Sequence, residues 1–231
     1  MTVFFRFPHT PHLSWLAEGV PRDDKVLSPA EATALLAHDV VVEEKLDGAN
    51  LGISVSPEGM ILIQNRGQYL VEPYGGQFKS LPSWLNPRED ALLKALGDNL
   101  ILFGEWCAAR HSLAYDHLVD WFLVFDVYDR QAQRFWSSSR RNEFAKSLCL
   151  QIVPEVFRGK ATMATLKEFL QEYPSSFRNG PMEGVVVRRE SGDWLDERAK
   201  LVRPDFTQAI GEHWRRRRIE WNHLGRGHSS Y

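Results

Sequence analysis

A lysine stands at the end of an apolar run in the stretch VVVEEKLDGANLGISVS, which begins at Val40. Lys45 follows three valines and two glutamates and precedes the turn-forming pair Asp47-Gly48. A lysine becomes a nucleophile when burial or a neighbouring cation favours its neutral amine. The end of a strand would hold such a side chain rigidly at the mouth of a pocket. A solvated lysine is the commoner finding at a strand end, so the rest of the chain must decide.

Five further stretches place charged or aromatic side chains on predicted strands or at strand ends. They are NRG with Arg66, LFGEW with Glu105, WFLVFDVYD with Phe125, MEGVVVR with Glu183 and AKLVRP with Lys200. Arginine binds phosphate through a bidentate guanidinium group, carboxylates suit a hydrated Mg²⁺ ion, and an aromatic ring can stack on another ring. Taken alone, each residue has an ordinary structural explanation as a salt bridge, a core ring or a surface charge.

Together with Lys45-Leu46-Asp47-Gly48, these stretches resemble the motifs of the covalent nucleotidyltransferases and occur in the same order. This superfamily comprises the ATP-dependent DNA and RNA ligases and the mRNA capping enzymes. Six motifs in one order argue against coincidence, and the resemblance covers about residues 40–206. EKLDGANLG, which contains Asn50, and FGEWCAARHSLAYDHLVDWFLVFDVYD are most similar to the RNA ligase branch, with its nick-sealing bacteriophage-type and Deinococcus-type enzymes.

The resemblance implies a reaction in three steps with ATP and Mg²⁺ or Mn²⁺ as cofactors. Lys45 attacks the α-phosphorus of ATP to form lysyl-AMP, AMP then moves to a 5′-phosphate, and a 3′-hydroxyl finally displaces AMP to form a phosphodiester bond. The implied substrate is a polynucleotide, RNA with 5′-phosphate and 3′-hydroxyl ends, joined at nicks.

The resemblance also implies roles for the matched residues. The implied catalytic residues are Lys45, Lys200 and Glu183, and Lys200 is expected to touch the α-phosphate and to lower the pKa of Lys45 as a nearby like charge. Glu105 is expected to bind the ribose hydroxyls, and Phe125 to stack on adenine. The expected metal-binding residues, acting through water, are Glu183 and Glu105. The expected nucleotide-binding residues are Glu44, Lys45, Asn50, Arg66, Glu105, Phe125, Glu183 and Lys200. The expected nucleic-acid-binding residues are Asn50, Arg66, Arg203, Arg215 and Arg216.

One position departs from the family pattern. Bacteriophage-type ligases carry two lysines separated by one residue in the last motif, whereas Val202 occupies the second place here. On a strand, Lys200 and Val202 share a face while Arg203 points the other way, so Arg203 cannot simply substitute. Two alternatives follow for the binding of the triphosphate. Either the protein adenylylates itself slowly, or Arg203 or the C-terminal helix compensates for the missing lysine.

Predicted strands come in consecutive groups rather than in strict βαβ alternation, which predicts an α+β fold with mainly antiparallel sheet. The resemblance makes this a nucleotidyltransferase domain, with two antiparallel sheets flanked by helices and the ATP groove between them. Ser28 and Glu31 form a capping-box pattern that predicts a helix to about His38. The turn residues 57–59 predict a hairpin. Residues 138–150 and 162–172 are predicted helices, and residues 66–87 a loop.

Length and composition predict one adenylyltransferase domain over residues 1–231, because 231 residues that are 43% hydrophobic suffice for one substantial core. We expect a basic C-terminal helix and tail over residues 205–231 and no oligonucleotide-binding barrel. A net charge of −2 gives no global case for nucleic acid, whereas the tail HWRRRRIEWNHLGRGH concentrates basic charge. Two cysteines, together with the lack of a membrane-spanning run or a signal-peptide pattern, favour a cytoplasmic protein.

Several alternatives stay open. A capping-type guanylyltransferase or a DNA ligase would use the same chemistry, although the missing barrel argues against capping. A catalytically weak RNA-end-binding module on the ligase fold is the other alternative, and Val202 is the one feature that favours it. The missing second domain also raises the hypothesis of a homodimer or a partner protein.

Overall fold

Strand β1 (Asp39–Lys45) is one of the two interior strands of the first sheet. Its three consecutive valines favour extended backbone, and five of its seven side chains are buried. It pairs antiparallel with β8 (Glu155–Lys160) and β9 (Gly184–Ser191), and β9 pairs antiparallel with β10 (Trp194–Val202). The resulting order is β10-β9-β1-β8 in the computed structural model, which describes residues 4–19, 25–209 and 219–225.

The second sheet has the order β3-β2-β4-β5-β6. Its antiparallel strands are β2 (Ala49–Val55), β3 (Ile61–Gln64), β4 (Leu100–Trp106), β5 (Phe122–Asp129) and β6 (Arg134–Phe135). A short strand β7 (Gln151–Ile152) pairs parallel with β5. Strands β2 and β3 form the predicted hairpin, whose turn places Gly59 at a φ of 78°, a conformation that favours glycine. Two antiparallel sheets combined with helices confirm the predicted α+β fold.

Helices pack against both sheets. Those in the described residues are α1 (Pro29–Leu36), α2 (Leu81–Leu85), α3 (Glu89–Leu96), α4 (Ser138–Ser147), α5 (Met163–Glu172) and α6 (Pro204–Ala209). The predicted capping box of α1 is present, since the Glu31 carboxylate accepts a 2.7 Å hydrogen bond from the backbone N–H of Ser28. Helix α1 ends two residues before the predicted His38. None of the helices described is long and apolar enough to cross a membrane.

Helix α2 lies in a segment that the sequence predicted as loop, and that part of the prediction is wrong. The glycines and prolines of segment 66–87 favour a loop locally. Leu81, Trp84 and Leu85, however, are buried in the core of the second sheet. Burial of these three side chains stabilises a turn of helix that local preferences would not support. A separate core, with Leu35, Val42 and other apolar residues, lies between the first sheet and helices α1 and α5.

The N-terminal strap, residues 5–13, runs from one sheet to the other. On the second sheet, Gln64 Nε2 donates a 2.8 Å hydrogen bond to the carbonyl of Phe5. On the first sheet, the backbone N–H of Lys200 donates to the carbonyl of Pro11 at 2.8 Å, and the N–H of Leu13 donates to the carbonyl of Lys200 at 2.7 Å. The strap therefore crosses the groove between the sheets.

Candidate active site

A cavity of about 360 Å³, the central cavity, opens in the groove between the two sheets. Strands β1 and β10 contribute to one side of it, and β2, β4 and β5 to the other. The predicted nucleotide-binding residues that line it are Glu44, Lys45, Asn50, Arg66, Glu105, Phe125 and Lys200. Residues from positions as far apart as 44 and 200 are thus brought to one site.

Lys45 and Glu183 form a close ion pair at this cavity. Antiparallel pairing of β1 with β9 sets Lys45 opposite Gly184, next to Glu183. The Nζ atom lies 2.6 Å from one Glu183 carboxylate oxygen and 2.7 Å from the other. The Lys45 side chain is 26% exposed and lines the cavity, whereas that of Glu183 is 5% exposed and lies behind Lys45, outside the cavity lining. A Cβ atom at Gly184 would collide with the carbonyl oxygen of Leu201, and glycine therefore allows β9 and β10 to approach beside the pair.

The proton of this pair belongs to Lys45. Burial alone would lower the pKa of Lys45, but the carboxylates of Glu183, Glu105 and Asp47 outweigh burial and raise the pKa above its ordinary value. Burial raises the pKa of Glu183 to about 8, although Lys45 opposes this effect. A contact with both carboxylate oxygens fits an ammonium group better than a neutral amine. The expected lowering of the Lys45 pKa by Lys200 is therefore not found, because the surrounding carboxylates dominate.

Glu105 stands on β4 at the edge of the same cavity. Its Oε1 accepts a 3.0 Å hydrogen bond from the backbone N–H of Gly48. A Cβ atom at Gly48 would come within 2.6 Å of the Trp106 carbonyl oxygen, so the glycine of the KLDG motif is needed for this close approach. Burial raises the pKa of Glu105 to about 7, against the opposing effect of Lys45. The carboxyl group thus titrates near neutral pH.

Glu105 and Glu183 have the chemistry of ligands for a hydrated Mg²⁺ ion rather than of a protein cage. No group of three or more His, Cys, Asp or Glu that could hold a metal occurs in residues 4–19, 25–209 and 219–225. Mg²⁺ keeps several waters and needs only one or two carboxylates beside the phosphates of a substrate. Two carboxylates beside the cavity therefore fit a metal that is held through water.

Asp47 organises the loop beside the cavity, a task that the sequence did not reveal. Its Oδ2 accepts hydrogen bonds of 2.7 Å from the backbone N–H groups of Ser112 and Leu113. Its own N–H donates to the hydroxyl of Tyr115 at 2.8 Å. These bonds fix loop 107–121 against the end of β1. Ser112 and Leu113 are 65 and 66 residues away from Asp47 in sequence, so no local signal could have revealed these partners.

Phe125 reaches the cavity because it is the extra residue of a β-bulge. The β4–β5 register pairs Phe103 with Asp126 and Gly104 with Val124, so Phe125 has no partner in the register. Bulges redirect side chains and often lie beside active sites. The carbonyl of Phe125 accepts hydrogen bonds from the buried guanidinium groups of Arg141 and Arg188, at 2.6 Å and 3.3 Å. These bonds hold the bulge in place.

Asn50 offers the cavity a free acceptor. Its side chain lines the cavity, and its buried Oδ1 has no hydrogen-bond partner in the part of the chain that the structure describes. Buried polar atoms are ordinarily paired, so an unpaired oxygen at the wall of a cavity fits a ligand that donates a hydrogen bond. The cavity is thus lined by aromatic, carboxylate, amide and cationic side chains. Together these groups are complementary to the base, the sugar and the phosphates of a nucleoside triphosphate.

Arg198 is a cavity cation that was not predicted from the sequence. It lies on the same face of β10 as Lys200 and lines the cavity with it. Val202, 5% exposed, follows on that face and pairs with Gly184. Arg203 lies on the other face, where it donates a 2.7 Å hydrogen bond to the Leu170 carbonyl. The second cation beside Lys200 is thus two residues earlier, and the spacing Arg-x-Lys was visible in the sequence.

Arg66 lies in the turn after β3. The side chain of Asn65 shapes this turn by accepting hydrogen bonds from the backbone N–H groups of Gly67 and Gln68, at 2.8 Å and 2.9 Å. Arg66 is exposed and reaches the open side of the cavity. Arg215 and Arg216, the remaining basic residues predicted to bind nucleic acid, lie outside the described residues.

Buried charges join the two sheets at the wall of the cavity. Three carboxylates and three guanidinium groups meet there, on Glu43, Asp126, Glu190, Arg141, Arg188 and Arg198. Arg141 Nη2 lies 2.6 Å from Glu43 Oε1, and both side chains are at most 2% exposed. Their formal charges balance, as buried charges require. The sequence signal was a run of charged residues inside otherwise apolar strands.

The C-terminal segment 219–225 packs on loop 107–121. Asn222 donates hydrogen bonds from its backbone N–H to the Ala108 carbonyl at 3.0 Å and from its Nδ2 to the Cys107 carbonyl at 2.8 Å. Its Oδ1 accepts a 2.9 Å bond from the N–H of Tyr115. Loop 107–121 is therefore fixed from two sides, by Asp47 and by Asn222.

Comparisons with known proteins agree with this geometry. The RNA ligase family model matches residues 38–202. Among solved structures, the Naegleria gruberi RNA ligase with PPi is 20% identical, with a TM-score of 0.64 over 90% of this chain and 64% of that one. A point mutant of that ligase with ATP and Mn is 18% identical, with a TM-score of 0.64 over 90% and 59%. An archaeal ATP-dependent RNA ligase is 19% identical, with a TM-score of 0.58 over 85% and 48%.

These structural matches show a common fold. The chain spans less than two thirds of the length of each of the three solved proteins. No curated protein sequence matches the chain.

Proposed function

Because the chain belongs to the RNA ligase family, we propose that it is an ATP-dependent RNA ligase that joins 3′-hydroxyl and 5′-phosphate ends at nicks through lysyl-AMP. The observation that carries the proposal is the position of Lys45 Nζ in a cavity between two sheets, 2.6 Å from Glu183. A lysine that a carboxylate holds in a fixed position at a cavity, with further cations nearby, suits attack on phosphorus once it has lost its proton.

In the first step, Lys45 leaves its ion pair with Glu183, transfers its proton to solvent water and attacks the α-phosphorus of ATP. A nitrogen–phosphorus bond forms, the bond to the leaving pyrophosphate breaks, and Lys200 offsets negative charge on the reacting phosphate. Arg198 and Arg66 add positive charge at the same cavity. A bound Mg²⁺ or Mn²⁺ ion would supply charge neutralisation of the phosphates, with Glu105 and Glu183 holding it through water.

In the later steps, AMP passes to a 5′-phosphate and a 3′-hydroxyl displaces it. We infer that the polynucleotide enters at the open side of the cavity, where Arg66 is exposed. Arginine at this edge would bind the phosphate backbone as a bidentate donor. Arg203, Arg215 and Arg216 are proposed as further phosphate contacts, and a homodimer or a partner protein in the cytoplasm as further support for the polynucleotide.

The proposal is tested with α-labelled ATP and Mg²⁺ or Mn²⁺, followed by denaturation and detection of label on the protein. We expect an acid-labile label from ATP and little from GTP, and sealing of a nicked RNA duplex by the same preparation. Label from GTP alone would indicate a capping-type enzyme. Absence of label, together with failure to seal a pre-adenylated nick, would leave the RNA-end-binding module as the better interpretation.

Self-adenylylation is predicted to become faster as pH rises from about 6 to about 9. Burial raises the pKa of Glu105 to about 7 and that of Glu183 to about 8, so both carboxyls are largely neutral at low pH and attract metal poorly. The pKa of Lys45 is also raised, and its neutral fraction therefore grows about tenfold per pH unit below that pKa. Deprotonation of Glu105, Glu183 and Lys45 therefore increases the rate in each case as pH rises.

The pH profile of kcat/KM for ATP, measured at constant ionic strength, checks this prediction because it reports the groups of the free enzyme. Glu105→Gln should flatten the part of the profile near pH 7. A rate that falls between about pH 6 and pH 8 would contradict the assignment of these groups.

A further inference from the structure

The N-terminal strap, residues 5–13, lies outside the segment that the family model matches, yet it forms one wall of the central cavity. Phe7 and Thr10 line the cavity, and Phe7 is only 4% exposed. The strap is firmly attached to the second sheet, because the ring of Phe5 stacks on Tyr128 with centroids 3.8 Å apart. Stacked aromatic pairs of this kind add to the stability that their burial provides.

The other end of the strap is bonded to the residue that carries an active-site cation. Two backbone hydrogen bonds join Pro11 and Leu13 to Lys200, at 2.8 Å and 2.7 Å. The position of the Lys200 backbone therefore depends on the strap as well as on strand β9. Between these two attachments, the chain holds Phe7 across the cavity.

Phe7 contacts three cavity residues that the proposed reaction uses. Its ring packs edge-to-face against Phe125, with centroids 5.3 Å apart and planes at 67°. The guanidinium carbon of Arg198 lies 4.5 Å from the centroid of the Phe7 ring, and that of Arg66 lies 6.0 Å from it. Edge-to-face and cation–π contacts are directional, so one ring constrains the plane of Phe125 and the positions of two cations.

We propose that the N-terminal strap is part of the nucleoside triphosphate site and that Phe7 is its positioning residue. Phe7 holds the Phe125 ring in the orientation that stacks on the base, and it holds Arg198 and Arg66 beside the phosphates. The identity of the ligand as ATP rests on the proposed function. The strap thereby acts on ATP binding and not on the nucleophile itself.

Binding of α,β-methylene-ATP in the presence of Mg²⁺ tests this inference, because Lys45 cannot expel its bridged leaving group and binding is measured without reaction. Phe7→Leu keeps an apolar side chain but loses the ring, and we expect it to weaken binding about tenfold. Phe7→Tyr keeps the ring and should recover most of the affinity. In single-turnover self-adenylylation, Phe7→Leu should raise about tenfold the ATP concentration that gives half the maximal rate. It should change the maximal rate constant less than about twofold.

Phe4→Leu is the matched control. Phe4 directly precedes the strap, and its ring packs on Tyr69 with centroids 5.1 Å apart instead of on the cavity residues. Thermal unfolding of both leucine variants shows whether the strap itself is lost. We expect similar unfolding midpoints for the two variants but a change in nucleotide affinity only for Phe7→Leu.

The outcomes separate this inference from the proposed function. If Phe7→Leu binds the analogue within about twofold of wild type, or if Phe4→Leu weakens binding equally, the positioning role is overturned while the ligase proposal stands. If Phe7→Leu binds weakly but wild type never becomes labelled by ATP, the inference stands and the ligase proposal fails. If wild type binds no nucleoside triphosphate, both fail.

Discussion

Lys45→Ala abolishes the transfer of label from α-labelled ATP to the protein, with an expected loss of roughly 10⁴-fold or more. Its Nζ is the lysine nitrogen that contacts Glu183 inside the central cavity. Lys45→Arg should be equally inactive, because a guanidinium group does not lose its proton in a protein. Quantitative labelling at saturating ATP and metal measures both effects.

Two controls distinguish a lost nucleophile from a damaged fold. Lys160 lies on β8 in the same sheet and its side chain is 67% exposed, so Lys160→Ala should be labelled normally. Lys45→Ala should still seal a nick that already carries AMP, because this final step does not use the nucleophile. Label that persists on Lys45→Ala would mean that another residue accepts AMP and would remove the central assignment.

The sequence predicted the class of fold and seven of the 17 residues that line the cavity, because the relevant motifs are short and local. A strand that ends in Lys-x-Asp-Gly fixes the position of Lys45, and strand ends fix Glu105 and Lys200. Pairing of β1 with β9 then brings Glu183 to Lys45. The ordered motifs thus identified residues that meet at the cavity. They did not predict the distances between these residues or their protonation states.

What the sequence could not predict depends on contacts between distant segments. The raised pKa of Lys45 results from carboxylates on distant segments and in the following turn, whereas from the sequence Lys200 alone was expected to shift it. The strap places Phe7 against Phe125, which is 118 residues away in sequence. The bulge that exposes Phe125 to the cavity is a property of β4–β5 pairing. Hydrophobic periodicity contains no information on such contacts.

The buried charge network gives the largest expected effect on stability. Arg188 is 1% exposed, and its Nη1 and Nε lie 2.8 Å from carboxylate oxygens of Asp126 and Glu190 respectively. Its Nη2 donates to the Trp136 carbonyl at 3.1 Å. Burial alone would lower the pKa of Arg188, but Asp126 and the other carboxylates outweigh burial and raise it. The guanidinium therefore stays charged and joins β9 of one sheet to β5 of the other.

Arg188→Met is predicted to lower the free energy of unfolding by about 3–5 kcal/mol, because it leaves buried carboxylates without their partner. The matched control is Arg189→Met, one residue along the strand, where the arginine is 28% exposed and lies 3.6 Å from Glu197. An exposed pair of this kind contributes about 1 kcal/mol or less. Denaturant unfolding of the two variants measures the difference.

Equal stability of the two variants would show that the network is not what joins the sheets. If Arg188→Met unfolds early as predicted, the folded fraction should also bind ATP more weakly, because Arg188 holds the carbonyl of the Phe125 bulge at 3.3 Å. Arg189→Met should leave ATP affinity unchanged, since its side chain points to the other face of β9. The buried charge network would then serve two purposes, joining the sheets and holding the Phe125 ring in position.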